Sequence, residues 1–76
     1  MELQDFVQNF AEQFDETDAN EIKASTVFKE LDEWSSLIAL SIIAMVDEEY
    51  EVALKGDDIL GASTIEDLFN TVKSKK

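Results

Sequence analysis

The chain has 76 residues, with 18 Asp and Glu against 6 Lys and Arg, giving a formal net charge of −12 at pH 7. That balance excludes a nucleic-acid partner, because neutralising phosphates needs a basic face, and it disfavours an anionic membrane surface. Cys and His are absent, so there is no disulfide framework, no thiolate nucleophile, no Cys-based zinc site and no imidazole base, and an independent enzyme is not expected. A hydrophobic share of 45% is too high for a disordered acidic tail. The start, Met1-Glu2-Leu3-Gln4-Asp5, is acidic where a secretory signal opens basic. The longest apolar stretch, Ile42 to Val46, is far short of a membrane span. One cytoplasmic, monomeric domain over residues 1–76 is expected.

In chain order, Leu3, Phe6, Val7, Phe10 and Phe14 recur at helical spacing and predict one amphipathic helix with a single buried stripe. From Asp15 to about Ser35 the period breaks among turn and cap formers such as Asp18, Asn20 and Thr26. Ile22, Val27, Phe28 and Leu31 are expected to pin this long segment to the core. The Asp15-Glu16-Thr17-Asp18-Ala19-Asn20 run has no Gly at its sixth position, and Thr26 stands at the twelfth, so an EF-hand is rejected. No metal site is expected.

A second helix is predicted from Ser36 to about Tyr50, with Ser35 as its N-cap and Trp34 as a staple residue before it. Asp57 to Gly61 reads as a single helical turn. Ser63 and Glu66 fit a capping box for a last helix that turns Ile65, Leu68, Phe69 and Val72 inward. Lys73, Lys75 and Lys76 suit its negative end.

On the second helix, Ala39, Ile42, Ile43, Val46 and Tyr50 share the arc expected to face the core. The opposite arc carries Leu37, Leu40, Ser41, Ala44, Asp47, Glu48 and Glu51. It is apolar near the start of the helix and acidic near its end. Either the two leucines tuck under the preceding loop, or the arc is a docking face for a basic partner groove.

The stretch Leu31-Asp32-Glu33-Trp34-Ser35-Ser36-Leu37, followed by Met45-Val46-Asp47-Glu48-Glu49-Tyr50 and by Ile65-Glu66-Asp67-Leu68-Phe69, resembles an acyl carrier protein. In that family an Asp-Ser-Leu motif opens the second helix, and an acidic run ending in an aromatic closes it. The resemblance implies an all-α fold, a small acyl-carrier-protein-like bundle of three main helices plus one short helix. It implies a carrier rather than a catalyst, with 4′-phosphopantetheine from coenzyme A attached to Ser36 by a holo-acyl-carrier-protein synthase. An acyl chain then travels as a thioester between enzymes of fatty acid or related lipid biosynthesis that carry basic docking patches.

Docking is expected at Ser35, Leu37, Leu40, Ser41, Ala44, Asp47, Glu48 and Glu51. The aliphatic set Val7, Ala39, Ile42, Ile43, Val46, Ile59, Ile65 and Leu68 is expected to enclose the chain. Two positions depart from the family pattern: Ser35 replaces the motif Asp, and Ser41 stands where an acid is usual. A polyketide or peptidyl carrier, or an acidic helical adaptor without a prosthetic group, are the alternatives.

Overall fold

The computed structural model describes residues 2–76. Four α-helices form among them: α1 (Leu3–Ala11), α2 (Ser36–Tyr50), α3 (Gly56–Gly61) and α4 (Ile65–Lys75). Two single-turn 3₁₀ helices, Ala19–Glu21 and Phe28–Glu30, lie in the long α1–α2 connection. α1 packs on α2 and α4, and α3 packs on α4. The expected bundle of three main helices and one short one is therefore present. No described helix is long and apolar enough to cross a membrane.

The core is an aromatic column capped by aliphatic side chains. Phe6, Phe10, Phe28, Ile42, Val46, Ile65, Leu68 and Val72 are completely enclosed. Phe10 sits at its centre, with ring centroids of Phe6, Phe14, Phe28 and Trp34 at 6.3, 5.8, 5.4 and 6.5 Å. No polar or charged side chain is buried among the described residues.

α1 stops three residues before the end of its apolar stripe. Gln13 and Phe14 donate to the carbonyls of Phe10 and Ala11 instead, in i→i−3 bonds of 3.1 Å. This tighter turn carries the chain off α1 while keeping Phe14 in the core. In the following loop Ile22 and Phe28 are buried and Leu31 is half-buried. Val27, expected to pin the loop, is instead exposed. It precedes the second 3₁₀ turn with non-helical backbone, φ −82° and ψ 89°, while Phe28 inside the turn is buried.

The loop also completes α4. Glu66 and Ile65 donate their amides to the carbonyls of Ala24 and Thr26 at 2.9 and 3.2 Å, which satisfies two first-turn donors that a helix cannot use itself. This fixes the cap one residue later than expected. With Ser63 as N-cap, its hydroxyl would take the Glu66 amide, which is already bonded to Ala24. Thr64 caps instead, accepting from the Asp67 amide at 3.1 Å. The Asp67 carboxylate accepts from the amides of Thr64 and Ser63 at 3.1 and 3.2 Å.

The core arc of α2 is turned slightly from the one expected. Ile42, Met45, Val46 and Tyr50 are buried, whereas Ala39 and Ile43 are half-buried. The i, i+3, i+4, i+8 set faces α1, and the flank bearing Ala39 and Ile43 is left open towards α3. Tyr50 closes the helix: its hydroxyl accepts from Asn9 Nδ2 at 2.9 Å, and Lys76 Nζ donates to its carbonyl at 3.0 Å.

Glu51 lies beyond the end of α2 rather than on it, with φ 57° and ψ 37° in the left-handed region. A side chain is disfavoured there, so Glu51→Gly should stabilise the fold by about 0.5–1 kcal/mol. In thermal melts that is a rise in Tm of roughly 4 °C for a domain of this size. Glu51→Gln, which removes the charge but keeps Cβ, should recover little of it.

Two helix-start carboxylates sit below the ordinary aspartate value. For Asp58 the amide of Lys55 is the main cause, opposed by partial desolvation and helped by Lys75, 3.5 Å away. For Asp67 the amides of Thr64 and then Ser63 dominate. A depressed carboxylate stabilises the fold fully above its unfolded pKa, near 4, and loses that contribution as pH falls through the lower folded value. The stability gap between wild type and an Asp58→Asn, Asp67→Asn double variant should therefore persist at neutral pH and close as pH falls below about 4. Urea midpoints measured across that range check it.

Candidate functional site

Of the expected site residues, Ser35, Ser36, Leu37 and Leu40 lie at the start of α2, and Ser41, Ala44, Asp47 and Glu48 follow along it. Ser35 has extended backbone, φ −155° and ψ 173°, and its Oγ accepts from the Ile38 amide at 3.4 Å. It is the N-cap, a role that Ser fills about as well as Asp. Ser36 is the first helical residue and is exposed. The amides of the first helical turn have no partners within the helix, and with the helix dipole they make the space around Ser36 favourable for negative charge.

Behind the serines stands Trp34. Its indole meets the Phe28 ring edge-on at 4.9 Å and packs against Phe14 at 6.4 Å and Phe10 at 6.5 Å. The staple residue expected here is thus an anchor in the aromatic column, and it fixes the direction in which the chain enters α2.

Ser35 and Ser36 open onto an apolar groove of 550 Å³ between α2 and α3. Trp34, Ala39, Leu40 and Ile43 form one wall, Gly56, Ile59 and Leu60 the other, and Lys29 closes one end. Lys29 Nζ donates to the Leu60 carbonyl at 2.8 Å, tying the second 3₁₀ turn to the last turn of α3. Of the aliphatic set expected to enclose a chain, Ala39, Ile43 and Ile59 line this groove. Ile42, Val46, Ile65 and Leu68 are sealed in the core. Val7 borders a different hollow of 890 Å³ between α1 and residues 17–24. That larger hollow contains neither serine, so the chemistry-bearing hydroxyls, and not size, single out the α2–α3 groove.

Leu37 and Leu40 do not tuck under the loop. They are 76% and 62% exposed, far from what a loop contact would leave. Ala44, Asp47 and Glu48 continue the same exposed arc, with Ser41 half-buried at its edge. Glu51 is also exposed but off the helix end. Leu60, 71% exposed across the groove, extends this apolar surface and was not anticipated. The available signal was that Ile59 and Leu60 are adjacent on a six-residue helix, whose single buried side has room for one of them. Among the described residues no cluster of acidic side chains is arranged to hold a metal ion.

No curated protein and no solved structure matches the chain. The family model described as phosphopantetheine attachment site matches residues 4–72. The match runs from the first turn of α1 to the penultimate turn of α4, and so the chain belongs to the family of carrier domains that hold 4′-phosphopantetheine covalently.

Proposed function

We propose that Ser36 is the attachment residue, and that this carrier domain works in the cytoplasm, moving acyl chains between enzymes of fatty acid or related lipid synthesis. The observation that carries this reading is the position of Ser36, exposed as the first residue of α2 and at the mouth of an apolar groove. Once attached, the arm supplies a terminal thiol, absent from the chain itself, on which an acyl group is held as a thioester.

The residues present fit such a group. The positive end of the α2 dipole, with the first-turn amides other than that of Ile38, favours the charge of a phosphodiester on Ser36 Oγ. Ser35 holds the helix start through its cap, and among the described residues no acidic side chain lines the groove to repel that charge. Ala39, Ile43, Ile59 and Leu60 offer a water-poor surface for a hydrocarbon chain, which favours an acyl over an aminoacyl cargo. An ammonium group would be poorly solvated there, with Lys29 already supplying positive charge. Incubation with coenzyme A, magnesium and a broad-specificity holo-synthase should raise the intact mass by one pantetheinyl addition. Loading by a malonyl donor, and none by aminoacyl donors, then supports the fatty-acid reading, and the reverse preference rejects it.

The exposed arc of α2 is the docking face of this reading. Asp47 and Glu48 steer basic partners during encounter, and Leu37 and Leu40 set close fit. Leu37→Ala should speed dissociation from the holo-synthase about tenfold while leaving Tm unchanged, because the side chain is already in water. Glu48→Lys should slow association and flatten its salt dependence. Stopped-flow binding and thermal melts on the same two proteins check both.

A further inference from the structure

Glu33 lies three residues before Ser36, and its carboxylate accepts more hydrogen bonds than any other side chain among the described residues. Its carboxylate accepts from the amides of Asp15, Glu16 and Thr17 at 2.7, 3.0 and 2.8 Å, and from the Thr17 hydroxyl at 2.8 Å. Every partner belongs to the turn that leaves α1, 16 to 18 residues away in sequence. The placement runs against simple electrostatics. Glu33 sits beside Asp32 in sequence and binds the backbone of Asp15 and Glu16, in a chain of net charge −12. Repulsion alone would drive these segments apart. Partial desolvation pushes the Glu33 carboxyl up, and the four hydrogen bonds outweigh it, so the group stays below the usual glutamate value.

The clamp is the first of three consecutive tethers. Glu33 is tied to the turn after α1, Trp34 is packed on Phe28, Phe10 and Phe14, and the Ser35 hydroxyl holds the Ile38 amide. Ser36 follows at once, with its own side chain free. We infer that Glu33 is a positioning residue for the modification reaction: by binding residues 15–17 it fixes the backbone that presents the Ser36 hydroxyl to the modifying enzyme. This rests on the Ser36 reading. The logic is that of near-attack geometry, in which displacing a reacting atom by about 1 Å can cost about a hundredfold in rate. Glu33 is not in the exposed docking arc, so its effect falls on presentation and leaves capture intact.

The test uses the full chain with Glu33→Ala, Glu33→Asp and Thr17→Val. Amide hydrogen exchange at residues 15–17 and the emission of Trp34, the single tryptophan, report whether the clamp has opened. Initial rates of pantetheinyl transfer from coenzyme A report presentation. In Glu33→Ala the three amides should lose protection, Trp34 emission should shift, and kcat/KM should fall about tenfold, carried by kcat with KM for the carrier within about twofold. Glu33→Asp, which keeps the charge, should restore part of the loss. Thr17→Val, which removes only the hydroxyl bond, should lower kcat by about two- to threefold and keeps the test open if Glu33→Ala fails to fold.

Opened amides with an unchanged kcat would overturn the inference, as would amides that stay protected in Glu33→Ala. A fall confined to KM, or no rescue by Glu33→Asp, would also reject it. Failure of the Ser36 reading is separately visible, because fragment masses of the modified wild-type chain would then place the arm on another residue.

Discussion

Phe10→Ala is expected to cost about 3–5 kcal/mol of folding free energy. Phe10 is completely enclosed and lies against Phe6, Phe14, Phe28 and Trp34. It therefore couples α1, the turn after it, the second 3₁₀ turn and the entrance to α2. Truncation removes the transfer free energy of the ring and leaves a cavity whose walls are other rings, which are too stiff to collapse into it. A domain of this size has a total stability of roughly 4–11 kcal/mol. The loss is thus from about a quarter of the total to all of it, and a larger fraction of the variant than of wild type should be unfolded at 37 °C. Urea unfolding followed by Trp34 emission measures it. Phe10→Leu keeps most of the volume and should retain a cooperative transition. A cost for Phe10→Ala below about 1 kcal/mol would mean that the aromatic column is not the core's main support.

The helices were legible because their signals are local. The stripe from Leu3 to Phe14, the Ser35 cap and the Ser36–Tyr50 span each rest on residues that recur about one turn apart along a single continuous segment. The errors fall where a distant group decides. The start of α4 satisfies an i, i+3 capping pattern in two registers, Ser63–Glu66 and Thr64–Asp67. The carbonyls of Ala24 and Thr26, far earlier in the chain, select the second. Met45 joins the core, and Ala39 and Ile43 do not fully, because α2 is apolar on nearly every side. A wheel drawn on such a helix cannot say which flank α1 will cover.

The candidate site divides in the same way. Register placed Ser36 at the start of α2, and the helical wheel put Leu37 and Leu40 opposite the core but left open whether the loop covers them; both are exposed, on the arc that α1 leaves uncovered. The groove wall from α3 was not readable, since it depends on how a six-residue helix sits against α2. Glu33 was the hardest to see. In sequence it is one acid among many, and only the folded turn brings three amides and a hydroxyl to its carboxylate. The Lys29 bond to the Leu60 carbonyl has the same character, joining residues 31 apart.

Ser36→Ala should abolish modification outright, while Ser35→Ala should leave it in place and cost about 1 kcal/mol of stability through the lost cap. The two neighbouring hydroxyls differ in what the fold has already asked of them. Ser35 Oγ faces back into the first turn of α2 and accepts from the Ile38 amide, so modifying it would sacrifice the cap. Ser36, one residue on, is exposed and opens on the same groove. The direct measurement is fragment mass mapping of the wild-type chain after treatment with coenzyme A, magnesium and a broad-specificity holo-synthase, with Ser36→Ala run alongside. The account predicts one pantetheinyl addition, carried by the fragment ion that includes Ser36 and excludes Ser35, and no addition to Ser36→Ala. An addition on Ser35, or one that persists in Ser36→Ala, would contradict it.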